Sequence, residues 1–561
     1  MSSPAKRIAE LSADKRALLA RRLGLGAGAA PGPAPAAAAG ELAVLSFAQH
    51  RLWFLDQLEP GATTYNIVEG IRLHSPPGQP YQLDVLRACL RAVVQRHAAL
   101  RTTFPAVDGV PQPRVADPDD PAADPPFTVA DLRALPQAAR EAEAVRVVDE
   151  EAATPFSLAR GPLLRVRVLR LTADELVVVL AVHHIVWDGW SHDVFVREMA
   201  ALYPALALGA PSPLPPLPLQ YADYARAQRA ELSGARLDAL VGYWRDHLGA
   251  DLPTLELPLD HPRGPDHVRR GASESFGLAP ALSAGLVQFA RANNATMYMV
   301  LLAGFLTLLG RYSGQDRIAV GTPIAGRTDQ AVEALIGLFV NTLVLCGDLT
   351  GDPTFAELLA QVRGAALGAF AHQQLPFEKL VEVMRPDRSA GASPLFRVMF
   401  TVQSGQQMAS FEGADAGHRR GAPVHAGRHS ARFDLSLGME DKGGWCGSIE
   451  YDAALFERAT IVRMIDQLQT LLAAAIAEPT RRLSELPLST QPVTAAALRH
   501  PAPPSAPGPS VPAQLAALAR RQPAAIAVTA GAAALTYAAL DARARAIAAR
   551  LRAAGVGQIG R

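Results

Sequence analysis

Cysteine is nearly absent: the 561 residues hold three, Cys89, Cys346 and Cys446, each far from the others. Three scattered thiols exclude a disulfide framework and a zinc cluster, and they fit a protein of the reducing cytoplasm. Long hydrophobic runs are missing as well. Nowhere do about 20 apolar residues follow one another, so no membrane span is expected, and the amino terminus has no apolar core of the signal-peptide kind. Charge of one sign is the third absence. Lys and Arg total 54 against 53 Asp and Glu, a net of +1, which leaves no field to draw nucleic acid or an anionic membrane.

What is present is length, patterning and two shifts of composition. A single hydrophobic core seldom grows beyond about 250–300 residues, so several lobes or domains are expected. Residues 1–23 read as a short charged helix with leucines at Leu11, Leu18, Leu19 and Leu23. That pattern suits a segment that docks a partner and equally a solvated helix capping the first lobe. Residues 24–40 are Gly, Pro and Ala with little else, a flexible linker, so the folded body should begin near Glu41. The second shift, over residues 491–512, is dense in Pro, Ser and Ala and reads as an interdomain linker.

Between these shifts helices and strands mix. Leu86, Cys89, Leu90, Val93 and Val94 recur at helical spacing and predict an amphipathic helix ending near His97. Leu163–Leu169 and Leu176–His183 predict two strands joined by the polar turn Thr172-Ala173-Asp174. After a Pro-rich crossing from Pro211 to Pro218 the scheme begins again, with a long apolar helix around Met297–Leu309 and a strand near Ile318–Val320. The expected class is α+β in two halves.

The densest chemistry is His183-His184-Ile185-Val186-Trp187-Asp188-Gly189, at the end of the apolar run Leu176–Val182. The run reads as a buried strand and Asp188-Gly189 as a break after it. Successive side chains on a strand face opposite sides, so His183 and His184 should not address the same substrate atom. One works and its neighbour holds the backbone. A metal site is an alternative, since His184 and Asp188 are four apart and would share one face of a helix. The β-branched run and Gly189 argue against a helix there, and no third ligand cluster is evident.

His-His-x-x-x-Asp-Gly resembles the signature of nonribosomal peptide synthetase condensation domains, which join two carrier-bound thioesters through an amide. The likeness continues along the chain. Ser46-Phe47-Ala48-Gln49-His50-Arg51-Leu52-Trp53 is similar to the family's opening motif. Arg96-His97-Ala98-Ala99-Leu100-Arg101-Thr102-Thr103-Phe104 is similar to its second, with Ala98 where Glu is usual. Tyr221-Ala222-Asp223-Tyr224-Ala225, Ile336-Gly337-Leu338-Phe339-Val340-Asn341-Thr342 and His372-Gln373-Gln374-Leu375-Pro376-Phe377-Glu378 follow in the family's order, and Ser393-Pro394-Leu395 matches part of the last motif.

The resemblance implies two chloramphenicol-acetyltransferase-like lobes, residues 41–215 and 216–490, forming a V-shaped pseudo-dimer with the active site in a tunnel between them. It implies no intrinsic cofactor and no metal, the substrates arriving on the 4'-phosphopantetheine arms of carrier proteins. The partners so implied are an upstream donor carrier, a downstream acceptor carrier and an adjoining adenylation domain. Because Met1 precedes the condensation region with no carrier before it, the donor carrier is expected in trans. Residues 513–561 are expected to be the N-terminal fragment of an adenylation domain, since Leu535-Thr536-Tyr537-Ala538-Ala539-Leu540 and a helix over Asp541–Ala554 resemble that domain's first motif and opening helix. The family's phosphate loop would lie further on, so ATP chemistry is not expected from this piece, and its missing strands would leave it loosely folded.

Leu45–Leu55 followed by Tyr65-Asn66 resembles domains of the LCL type, which take an L-configured donor and an L-configured acceptor. Epimerisation relatives share the double histidine, whereas heterocyclisation relatives replace it with an Asp-rich pattern. Two other function classes stay open: a silent platform that only docks carriers, and an acyltransferase to a diffusible amine or alcohol.

Aminolysis of a thioester defines the roles. An α-amine has a pKa of about 7.7–8.0, so at cytosolic pH it needs positioning more than deprotonation. After attack the nitrogen becomes acidic, and His184 could accept its proton or hold the amine. Asp188 could orient His184 as triad carboxylates do. The family points instead to an ion pair of Asp188 with an arginine, for which Arg327 in Gly321–Arg327 is preferred and Arg51 second. Gly189 either lines the tunnel or is a turn glycine with positive φ. Trp187 and Trp190 should pack. Asn341 and Gln403 hydrogen-bond near the channel or close strands. Ser191 belongs with the ion pair or the tunnel and is no nucleophile, because both substrates arrive activated.

Overall fold

A computed structural model describes residues 44–76, 78–249, 252, 254–264, 267–384, 395–403, 419–420, 424, 431–489, 511–530 and 533–553. The expected helix over 1–23, the linker over 24–40, Ser393-Pro394 and all but the last two residues of the 491–512 linker lie outside the described residues. Val511 and Pro512 begin a helix, so the expected linker ends earlier than its composition suggested. By contacts the chain divides into two compact units, 1–488 and 489–561.

The first half of the larger unit is a sheet covered on both faces. Its strands are β1 (Asn66–His74), β2 (Phe127–Asp131), β3 (Leu164–Arg170) and β4 (Glu175–His183), in the order β1-β4-β3-β2. The pair β1–β4 is antiparallel from Asn66 opposite His183 to His74 opposite Glu175. Both predicted strands of the hairpin are present, displaced by a residue at most at either end. Helices α1 (Phe47–Leu58), α2 (Leu83–Arg96), α3 (Gln137–Ala153) and α4 (Gly189–Ala207) surround the sheet. The predicted amphipathic stripe of α2 is its buried face: Leu86, Cys89, Leu90, Val93 and Val94 all lie in the core with Leu180 and Val182. On the other face Val177 and Val179 meet Val147 and Val148 of α3, so alternation on β4 assigns its residues to two cores. A capping box, Ser46 with Gln49, starts α1.

The second half holds α5 (Tyr221–Glu231), α6 (Gly234–Leu248), α7 (Pro280–Ala292), α8 (Met297–Ser313), α9 (Phe355–Ala371), α10 (Phe377–Met384) and α11 (Arg458–Ala477). Its strands are β5 (Gly271–Gly277), β6 (Arg317–Ile324), β7 (Asn341–Asp348), β8 (Val398–Gln403), β9 (Leu435–Asp441) and β10 (Trp445–Asp452), ordered β7-β6-β8-β9-β10-β5. Residues 299–310 of α8 are buried on every side, as an all-round apolar helix must be. Gly304 lets α11 approach, because a Cβ there would lie 2.4 Å from Leu472 Cδ2. By length and composition α11 is apolar enough to cross a membrane, yet Ile461, Leu468, Leu471 and Leu472 are fully buried in the core of the second half.

The halves exchange chain. Arg419–Arg420 pairs antiparallel with Leu73 and His74, and Val424 bridges Gly70, so a segment of the second half completes the β1 edge of the first half's sheet. Gly70 permits this crossing: a Cβ there would stand 2.7 Å from both Val424 Cβ and Val424 O.

The smaller unit contains α12 (Val511–Arg521), the antiparallel pair β11 (Ile526–Ala530) and β12 (Ala533–Thr536), and α13 (Tyr537–Ala553). Its last helix begins at Tyr537, four residues before the expected Asp541.

Candidate active site

The strand β4 ends on His183, whose backbone N–H bonds to Leu163 O at 3.0 Å. The next residue leaves the strand. His184–Val186 is a single 3-10 turn capped by the His183 side chain, whose Nδ1 accepts from Ile185 N at 3.2 Å. Because the backbone turns, the two rings take different partners, Ile185 N for one and Trp187 O for the other. With Nδ1 an acceptor, the neutral His183 ring carries its proton on Nε2. It packs edge-on to Phe156, and burial, followed by the charges of His184 and Arg432, pushes its pKa down to about 3. His183 is a neutral post for the turn.

His184 is fixed at three points. Its N–H bonds to Tyr65 O at 2.9 Å, its carbonyl accepts from Trp187 N at 3.1 Å, and its Nδ1 lies 2.6 Å from Trp187 O. A carbonyl only accepts, so Nδ1 carries the proton and donates, which leaves the Nε2 lone pair uncommitted. The ring is densely surrounded yet keeps some accessible surface. Burial first, then the positive charge of Arg432, hold its pKa below the ordinary histidine value. The result is a neutral imidazole with one basic nitrogen and a fixed orientation.

Asp188 pairs with Arg327, as the resemblance implied, and does not orient His184. It is the N-cap of α4, accepting from Ser191 N at 2.8 Å, and Gly189 is the first helical residue. No helix carries His184 and Asp188 on one face, as expected: the helix begins only at Gly189, after a cap residue with extended φ. Gly189 does not have positive φ; it is exposed, with nothing within 4 Å of where a Cβ would be. Both oxygens of Asp188 are engaged, and none of their partners is a histidine. Its Oδ1 also accepts from Ser191 Oγ at 2.7 Å and Arg327 Nη2 at 3.3 Å, and its Oδ2 accepts from Phe339 N at 2.9 Å. A triad geometry is absent: His184 is oriented by the Trp187 carbonyl instead.

Asp188 and Arg327 bury their side chains to 2 % and 1 % exposure. Arg327 Nη1 donates to Val332 O and Leu335 O, and its guanidinium lies over the Phe339 ring at 3.9 Å. Gly326 makes the approach to Phe339 feasible, with φ +66° and a hypothetical Cβ only 2.0 Å from Phe339 O. Ser191 Oγ accepts from Gly337 N at 3.0 Å. Loop 333–339 of the second half is thereby tied to the first at Asp188, Ser191 and Trp190, whose indole donates to Glu333 O at 2.8 Å.

Further ties were not singled out in the sequence. His97 Nδ1 accepts from Ile336 N at 3.2 Å while its Nε2 meets buried Glu198 at 2.9 Å, and the Tyr221 hydroxyl bonds to Leu338 O at 2.6 Å. Both lie in quoted motifs, whose match was the available signal. Ala98, in place of Glu, presents its N–H to Gln220 Oε1 at 2.9 Å, and Gln220 Nε2 returns to Arg96 O.

Of three further expected residues, Arg51 departs from its reading, Asn341 opens a strand rather than closing one, and Gln403 closes one as expected. Arg51 pairs with Glu378 at 3.6 Å rather than with Asp188. Asn341 opens β7 instead of closing a strand; its Nδ2 donates to Gln373 O and Leu375 O and its Oδ1 accepts from Phe377 N. Gln403 is exposed at the end of β8. Trp187 is fully buried, edge-on to Phe195 at 5.4 Å. Among the described residues no group of three or more His, Cys, Asp or Glu side chains is placed to hold a metal ion.

A model of the condensation-domain family matches residues 40–497. The chain is 41 % identical over 520 residues to a component of the linear gramicidin synthase of Brevibacillus parabrevis, covering 91 % of this chain and 6 % of that one. It is 40 % identical over 488 residues to phosphinothricin tripeptide synthetase PhsC of Streptomyces viridochromogenes, covering 86 % and 44 %. The chain thus spans less than half of either relative. The X-domain from teicoplanin biosynthesis superposes with a TM-score of 0.70 at 27 % identity, over 81 % of this chain and 99 % of that one. The first condensation domain of the calcium-dependent antibiotic synthetase shares the fold, with a TM-score of 0.64 at 24 % identity over 80 % and 100 %.

Proposed function

This chain belongs to the condensation-domain family, and from that premise we propose that it is an acyltransferase joining a donor acyl or peptidyl thioester to the α-amine of an acceptor aminoacyl thioester. Both substrates ride on phosphopantetheine arms of carrier proteins. The acceptor nitrogen attacks the thioester carbonyl, the C–N bond forms, the C–S bond breaks, and the nitrogen's proton ends on the departing thiolate. The observation that carries this reading is the His184 ring: Nδ1–H committed to the Trp187 carbonyl, Nε2 unspent, the imidazole neutral at pH 7. Such a nitrogen can hold the amine before attack and take its proton afterwards. His183 supports the turn, and the Asp188–Arg327 pair fixes the loop of the second half against the helix that follows the histidines.

Finer assignments rest on the motifs. Leu45–Leu55 with Tyr65-Asn66 supports an L-configured donor and acceptor. Thr536 closing a hairpin and Tyr537 opening a helix support reading residues 513–561 as the start of an adenylation domain. The two lobes are assigned to 41–215 and 216–490, meeting in a V around a tunnel, and the scattered thiols suit work in the cytoplasm.

The test is single-turnover transfer read by intact-protein mass spectrometry, with aminoacyl donor and acceptor carriers, wild type beside His184→Ala. Donor mass on the acceptor carrier with wild type alone is expected. Carrier binding without transfer across a broad carrier set would replace this reading with a silent docking platform.

A further inference from the structure

The helix α4 begins at the histidine motif and ends beside a cavity of about 700 Å³ in the first half, between the sheet and helices α2 and α4. Its floor is made by Ile71 of β1, Val166 and Val168 of β3 and Val178 of β4. Val178 is the telling residue. It stands in mid-strand on the helix-covered face, paired on both sides with Ile71 and Val168, where a valine should be fully buried; it keeps accessible surface because the helices do not close over it. The roof is the C-terminal part of α4, from Phe195 to Ala207. Pro204 lies inside that helix and has no N–H for Ala200 O, so one rung of its hydrogen-bond ladder is missing above the cavity.

The chemistry of the lining is selective. Among its residues there is no Asp, Glu, Lys, Arg or His, so a charge inside would lack a partner and its burial would be heavily penalised. Polar groups sit towards the exposed rim, the side chains of Gln79, Gln82 and Tyr81. Leu208, also on the rim, is 86 % exposed. The volume falls within the range of about 300–1,000 Å³ typical of small-molecule sites. The space is bounded by a sheet on one side and helices on the other, which suits a slender molecule rather than a folded surface.

We propose that this cavity is a binding site for a neutral lipophilic small molecule, an alkyl or acyl chain whose uncharged polar end rests at the Gln79–Gln82 rim. It is separate from the His184 site and does not depend on the function proposed above. Its roof leads back to that site: Phe195 packs edge-on to Trp187, whose carbonyl orients His184.

The test uses the full chain and the neutral probe N-phenyl-1-naphthylamine, with methyl decanoate as competitor. Saturable binding at one site per chain, displaced by methyl decanoate, is expected. Val178→Phe and Ala200→Phe, which fill floor and roof, should each weaken probe binding at least tenfold while His184→Ala leaves it unchanged. If either filled variant fails to fold, a rise in the wild-type melting temperature with methyl decanoate is the second measurement, since a ligand bound only by the native state must stabilise it. Absence of saturable binding or of any melting shift would overturn the proposal. So would equal probe affinity in the folded filled variants.

Discussion

The two ends of α4 are built on opposite terms. At its first turn every oxygen of Asp188 is used, Arg327 and Ser191 lock onto a loop of the other half, and steric room is so short that Gly326 tolerates no side chain. From Phe195 onward the same helix leaves a cavity, under Phe195, Met199 and Tyr203. Orientation of a reacting group demands the first arrangement, because a displacement of about 1 Å is costly in rate. Room for a guest demands the second. A single rigid element can serve both, since its N-terminus is fixed by polar bonds that make no use of the apolar contacts at its other end.

Substitutions at the crowded end should break this contrast most. His184→Ala is expected to lower single-turnover condensation by about 10²- to 10⁴-fold with an unchanged melting temperature; a large drop in melting temperature would instead place His184 among the structural residues. Asp188→Ala leaves a buried guanidinium uncompensated and should lose about 3–5 kcal/mol of stability, measurable by denaturant unfolding. Wild-type unfolding in that variant would show the pair to be dispensable. Tyr221→Phe removes the donor to Leu338 O and should cost about 1–3 kcal/mol, read in the same way.

Acid sharpens the comparison without mutation. His183 has a folded pKa of about 3 against about 6.5 unfolded. Below pH 6.5 the unfolded chain binds a proton that the native one refuses, so stability should fall progressively as pH drops from about 6.5 towards 3. His184 is shifted in the same direction, and transfer should therefore show no histidine inflection between pH 6 and 8. An inflection near 6.5 would mean that an exposed histidine is the active group. The smallest effect belongs to the loose end: Val178→Ile adds one methylene towards the cavity and should raise stability by about 0.8 kcal/mol, where the same addition in a filled core would lower it.

The fold was legible where burial and periodicity agree. The stripe of α2 and the alternation of β4 follow directly from the positions of Leu, Val and Cys. Arg327 was preferred over Arg51 for Asp188 on family grounds, and the distances separate them, 3.3 Å to Asp188 for one and an ion pair with Glu378 for the other. The positive-φ reading of Gly189 failed, because the preceding Asp, with a serine three residues on, caps a helix of which the glycine is the first residue. The Trp187 carbonyl that orients His184 was invisible, since backbone acceptors leave no trace in residue identity. Asn341 carries the same lesson: its amide is spent on main-chain groups, those of the 373–377 turn and of Thr342.

The segment that crosses from the second half to β1 also sets a schedule. Val424 and Arg419–Arg420 are made some 240 residues after His183 completes the first sheet. At translation rates of about 5–20 residues per second, roughly 10–50 s pass before the ribosome supplies the strand that covers that edge. During this interval β1 offers unpaired N–H and C=O groups to any neighbouring chain. In a polyribosome the nearest such chain is another copy of the same nascent protein, so the yield of folded protein should depend on how closely ribosomes follow one another.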